Sequence, residues 1–75
     1  MERKIEIGKK YKHFKGLVVE VIALAKDSET LKDLVVYNHD GQTWVREYDE
    51  FVSEVDHKKY PDIKQKYRFE EIKEI

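Results

Sequence analysis

The sequence predicts an all-β fold, a small β-barrel of about five strands with one or two short helical turns. Three observations carry this. Leu17–Ala25 is a β-branched, nearly all-apolar run with Glu20 as its one charge. Asp40-Gly41 lies between two further β-rich runs, and a D-G pair is a strong hairpin signal because Gly supplies the positive φ of a tight turn. Thr43–Tyr48 then alternates cleanly, as a half-buried strand does. A lone hairpin is not stable in water, and closure or near-closure of the strands protects their edges. An α+β sheet with one helix packed across it is the alternative architecture.

In chain order, Met1–Ile7 has no apolar h-region, so no signal peptide is expected. No lipidation motif stands at either end, and a cytoplasmic location is expected. Residues 1–75 read as a single domain, with 1–8 as a flexible or edge-strand N-terminus. In the first long strand Leu17, Val19, Val21, Ala23 and Ala25 would face one side. Val18, Glu20, Ile22 and Leu24 would face the other. Lys26–Asp33 reads as a loop with a helical turn, since Asp, Ser and Thr side chains bond nearby backbone amides. Leu34–Tyr37 is the next strand. In the return strand Trp44, Arg46 and Tyr48 share one face, and Thr43, Val45 and Glu47 the other. Phe51, Val52 and Val55 then fall at i, i+1 and i+4, a helical stripe that Asp49 can cap. Asp56–Tyr67 is polar, and Pro61 followed by Asp62 fits the opening of one more helical turn. Arg68–Ile72 reads as the closing strand.

Composition narrows the function classes. The chain has 75 residues, 41% of them charged, with a net charge of -1 and no cysteine. No stretch approaches the ~20 apolar residues of a membrane span. Nearly cancelling charge with ample apolar content argues against disorder. Without cysteine there is no disulfide, thiolate metal site or cysteine nucleophile. A domain this small buries only about 60% of its unfolded surface, which leaves little room for both a core and a deep catalytic cleft.

The charge is unevenly spread. Residues 1–15 carry Arg3, Lys4, Lys9, Lys10, Lys12 and Lys15 against Glu2 and Glu6. Residues 35–57 carry Arg46 against Asp40, Glu47, Asp49, Glu50, Glu54 and Asp56. Lysines interleaved with Tyr11, His13 and Phe14 suit a single-stranded nucleic acid. The acidic half and a pI of 6.3 weigh against that partner.

No phosphate-binding glycine loop, dinucleotide fingerprint or nucleophile elbow is present. His13, His39 and His57 lack metal-ligand spacing, so no metal and no cofactor is expected. Ser28, with His13 as base and Asp27 or Glu29 to orient it, has the residue types of a triad, but nothing local shapes an oxyanion hole. An enzyme is therefore disfavoured. A binding constellation fits better. Arg46 stands between Trp44 and Tyr48 on one strand face with Tyr37 on the neighbouring strand. Its planar fork suits carboxylate or phosphate, and the aromatics offer flat walls. The same residues also fit a structural role, with Arg46 paired to Glu29 or Glu20 and Trp44 in the core.

Several segments resemble the bacterial family catalogued as domain of unknown function 1653. They are Tyr11-Lys12-His13-Phe14-Lys15-Gly16, Glu20-Val21, Ala25 ahead of Ser28-Glu29-Thr30, Val35-Val36-Tyr37, Trp44-Val45-Arg46 followed by Phe51, and Arg68-Phe69. Their order and spacing span residues 9 to 72. The resemblance implies an SH3-like small barrel and no activity. It marks His13, Lys15, Ser28, Glu29, Thr30, Tyr37, Trp44 and Arg46 as the recurring polar and aromatic set. Four features depart from the family pattern: Val19 in place of an aromatic, Asp27 in place of a His, Glu47 in place of a Pro, and a shorter Asn38–Gln42 turn. The Asp27 exchange removes a possible ligand or base beside Ser28.

The functional expectation is a non-catalytic binding module. The Ser28-Glu29-Thr30 loop and the Trp44/Arg46 strand would converge on a shallow site. There Arg46 would hold an anion, Trp44 and Tyr37 would stack, and Ser28 and Thr30 would hydrogen-bond. The ligand would be a small anionic molecule or a peptide. Single-stranded nucleic-acid binding through the basic arm and a structural or oligomerisation role are the alternatives.

Overall fold

A computed structural model describes residues 4–72. Five strands, β1 (Lys10–His13), β2 (Val18–Lys26), β3 (Asp33–His39), β4 (Gln42–Glu47) and β5 (Phe69–Glu71), form one antiparallel sheet in the order β4-β3-β2-β1-β5. The one helix among the described residues, α1, is Tyr48–Phe51. The sheet does not close. Past α1, however, the chain returns against the β5 side through a Glu54↔Tyr67 bridge, with the Arg68 amide donating to the Ser53 carbonyl at 2.9 Å. The expected all-β, small-barrel-like fold is what forms, and four residues of helix are too few for the α+β alternative.

The β3–β4 hairpin follows the sequence closely. His39 faces Gln42, and Asp40 (φ 52°) and Gly41 (φ 77°) fill the two turn positions. Positive φ at both is what a two-residue primed turn demands. A Cβ on Gly41 would meet nothing within 4 Å, so a substitution there acts through the backbone alone. The left-handed region costs a side chain about 1–2 kcal/mol. Gly41→Val is therefore expected to lower the Tm by roughly 5–15 °C in thermal circular dichroism.

β2 departs from the expected alternation. Val21 faces Tyr37, but Ala23 faces Val36 and Leu24 faces Val35. Residues directly opposite one another share a face. The bulge at Ile22 therefore puts Leu24 on the face of Val21 and turns Ala23 and Ala25 to the other side. One inserted residue flips every later side chain because the strand period is two.

Two further expectations are corrected. β4 ends at Glu47, so Tyr48 leaves the strand and opens α1, and Asp49 sits inside the first turn. Glu47 occupies the N-cap position and makes no side-chain cap bond. Pro61 and Asp62 form a turn, not a helical one. The Ile63 amide closes it on the Tyr60 carbonyl at 3.2 Å, and in the turn before it Asp56 Oδ1 accepts the Lys58 and Lys59 amides at 3.1 and 3.4 Å.

The core is aromatic and β-branched. Tyr11, Val19, Val21, Val35, Tyr37, Phe51 and Phe69 are buried together with Ile5. The phenol oxygens of Tyr48 and Tyr11 accept the Ile5 and Glu6 amides at 3.0 and 3.1 Å. These contacts tie the described part of the N-terminal segment to the core; residues 1–3 lie outside the described residues.

Candidate functional site

β1 ends at His13, and the chain turns back at once: the His13 amide donates to the Leu17 carbonyl at 2.7 Å and the Gly16 amide to the His13 carbonyl at 2.8 Å. Gly16 makes this possible with φ 98°. The turn aims Phe14 and Lys15 to the same side as His13. The His13 ring is buried, stacked on Phe14 at 4.4 Å and edge-on to Phe69 at 4.9 Å. Its Nδ1 accepts the Lys15 amide at 3.1 Å, so the neutral ring carries its proton on Nε2.

These groups floor an open cavity of about 570 Å³ between the β1–β2 turn, the β4 strand, the 56–60 turn and the approach to β5. Tyr60 packs on Phe14 at 5.1 Å, and Lys15 Nζ lies 5.8 and 5.5 Å from the two ring centres. Lys59 Nζ sits 5.5 Å from Tyr60, and the Arg68 guanidinium 6.0 Å from Phe14. From the other side Arg46 reaches in, 5.7 Å from the Phe69 ring. Its Nη1 donates to Glu50 Oε1 at 2.8 Å, while its Nε is buried without a hydrogen-bond partner. Trp44, opposite Tyr37 in the sheet, forms part of the lining and remains 47% exposed.

Among the described residues, four cations thus line the cavity with one carboxylate, Asp56. Three other acidic residues of the 35–57 segment are engaged elsewhere: Glu47 pairs with Lys32, Glu50 with Arg46 and Glu54 with Lys66. Among the described residues, Lys15, Lys59 and Arg68 have no ion-pair partner.

This surrounding acts on His13. Burial, then Arg46, Arg68 and Lys15, hold its pKa below the ordinary 6.5. Below pH 6.5 the unfolded chain therefore takes up a proton that the folded chain resists. Stability is full above that pH and falls as pH drops through it, by at most about 1.4 kcal/mol per pH unit. Urea midpoints are expected to fall on acidification below about pH 6.5, and less steeply in His13→Gln.

The family model described as a protein of unknown function, DUF1653, matches residues 9–71, a span that takes in every cavity-lining residue. The chain belongs to the DUF1653 family. No curated protein and no solved structure matches it.

In this DUF1653 domain the structure gathers His13, Lys15, Tyr37, Trp44 and Arg46 around one cavity. Ser28, Glu29 and Thr30 do not join them. They occupy the β2–β3 loop, past Lys26, whereas the β1–β2 turn meets β2 at Val18. Roughly 25 Å of strand contour lies between the two ends. That separation leaves no contact between Ser28 and His13, which a triad needs at about 3 Å. Asp27 shapes this loop instead. Its Oδ1 accepts the Glu29 amide at 2.8 Å and the Thr30 amide at 3.1 Å, and these bonds, the Glu29 one first, lower its pKa.

Arg46 pairs with Glu50, not with Glu29 or Glu20. His39 donates from Nδ1 to the Val18 carbonyl at 3.0 Å, and His57 from Nε2 to the Gln65 carbonyl at 3.1 Å. Phe14, Lys59, Tyr60 and Arg68 complete the cavity although the sequence reading does not place them in the site. A signal existed: His57-Lys58-Lys59-Tyr60 repeats the lysine–aromatic interleaving of residues 9–15.

Proposed function

We propose that this domain is a binding module for a small anionic molecule bearing a flat apolar group, held in the cavity between the β1–β2 turn and β4. One observation carries the reading: four cations converge on an aromatic-walled cavity that offers a single carboxylate, and three of those cations have no ion-pair partner among the described residues. A cavity of about 570 Å³ lies within the range of small-molecule sites. Arg46 and Arg68 present planar forks to an anion, and Lys15 and Lys59 add compact charges. Phe14, Tyr60 and the exposed indole of Trp44 supply the walls. An anionic side chain of a peptide would use the same groups.

Trp44 is the only tryptophan, so its fluorescence reports on the cavity directly. Phenyl phosphate and benzoate are expected to change that fluorescence saturably, and neutral benzyl alcohol to do so far more weakly. Removing a charged hydrogen-bonding group costs about 1.5–3 kcal/mol. Arg46→Ala should therefore bind phenyl phosphate roughly 10- to 100-fold more weakly with its fold intact. Equal binding of benzyl alcohol, or full affinity in folded Arg46→Ala, would overturn the proposal.

A further inference from the structure

From the donor pattern of this cavity we infer that its ligand is a phosphate monoester joined to a planar ring, the chemistry of a nucleotide, with the phosphate among Lys15, Arg46 and Arg68 and the ring against Trp44. This rests on the anion-binding reading above and narrows it.

The polar groups at the cavity are almost all donors. The guanidinium of Arg68 spends Nε on Ser53 Oγ at 3.3 Å, and no other bond of that group appears among the described residues. The Arg46 Nε–H is buried and unpartnered. His13 uses Nδ1 as an acceptor for the Lys15 amide, which leaves Nε2–H as a donor. Lys15 and Lys59 add ammonium groups and accept nothing. Asp56, the one carboxylate, already takes two backbone amides on Oδ1. A carboxylate ligand brings one charge and two oxygens to this set. A phosphate monoester brings a charge of about -1.5 to -2 and three terminal oxygens, enough acceptors for the N–H groups that Arg46 and Arg68 keep beside their bonds to Glu50 and Ser53.

The walls ask for a second part to the ligand. Cations crowd the Phe14 and Tyr60 side, where Lys15, Lys59 and Arg68 each lie over a ring. The lining also holds Trp44, 47% exposed, and Leu17, 48% exposed, and among the described residues no cation lies over the indole. The cavity thus offers an exposed apolar surface besides its cations, and inorganic phosphate would leave that surface in water. A base stacked on an indole is worth about 1–3 kcal/mol.

The test is isothermal titration of the intact protein with 5′-AMP, adenosine, inorganic phosphate and benzoate at one low salt concentration. AMP is expected to bind at least tenfold more tightly than each of the other three. Trp44→Ala is expected to bring AMP down toward inorganic phosphate, and Arg68→Gln to bring it down toward adenosine. Chemical-shift spectra of both variants establish that they are folded. Two hexathymidines, with and without a 5′-phosphate, separate the sources. Tight binding of the phosphorylated strand alone assigns a strand end, and preference for AMP over it assigns a free nucleotide. Each of these keeps the monoester chemistry. Equal binding of the two strands would show general polyanion binding and overturn the inference. Benzoate binding as tightly as AMP would also overturn it while leaving the anion-binding proposal standing. Binding of none of the anions would remove both.

Discussion

Phe51→Ala is expected to cost about 3–5 kcal/mol, a large share of what holds so small a domain folded. Phe51 is fully buried and is delivered by α1 into the core against the open sheet. There its ring lies parallel to Phe69 at 4.1 Å and meets Tyr11 at 5.6 Å and Tyr37 at 5.8 Å. These partners come from β5, β1 and β3. The ring thus joins strands that no closed barrel holds, and each aromatic contact adds about 0.5–1.5 kcal/mol beyond buried area. A domain of 75 residues has about 4–11 kcal/mol of total stability at roughly 0.05–0.15 kcal/mol per residue. The loss should lower the Tm by more than about 12 °C in differential scanning calorimetry. A shift of less than about 3 °C would mean that α1 is an ornament on a sheet stable without it.

The way Phe51 works also explains what could be read from the sequence. β-branching in Leu17–Ala25 and the Asp40-Gly41 pair fix strands and a turn by local chemistry, so both were legible. The bulge at Ile22 was not, because an inserted Ile in an apolar run has no composition of its own; only the pairing of β2 with β3 reveals it. The pairing of Arg46 with Glu50 was hidden by the position of one boundary. Once Tyr48 opens the helix, Glu50 lies on α1 within reach of Arg46 near the end of β4.

The site was legible in part for a similar reason. Trp44, Arg46 and Tyr37 share a hairpin face that alternation predicts. His13 and Lys15 meet them through the β1–β2 turn. The Ser28-Glu29-Thr30 loop lies at the other end of β2 from this cavity, which residue type alone does not reveal. Averaged charge misled as well. The acidic half looked repulsive to anions, but Glu47, Glu50 and Glu54 each pair with a cation. The cavity instead draws its cations from distant parts of the sequence.

Arg46 allows stability and binding to be separated. Its buried Nε without a partner costs about 1–3 kcal/mol. Against that stand an ion pair to Glu50, itself 49% exposed, worth about 0–1 kcal/mol, and an Arg–Phe69 contact worth about 0.5–1 kcal/mol. The balance is near zero or unfavourable to the fold. Met has the length to cover Phe69, no polar atom to satisfy, and enough flexibility to fill an irregular space. Arg46→Met is therefore expected to keep the wild-type Tm within about 5 °C or to raise it. The same variant should bind phenyl phosphate at least about tenfold more weakly, through loss of a charged donor. A residue with little net contribution to the fold and roughly a tenfold share of the anion affinity is what a binding site retains at the expense of stability. If Arg46→Met instead lost more than about 10 °C in Tm, the guanidinium would be a structural element joining β4 to α1, and the cavity would have to hold an anion with Lys15, Lys59 and Arg68 alone.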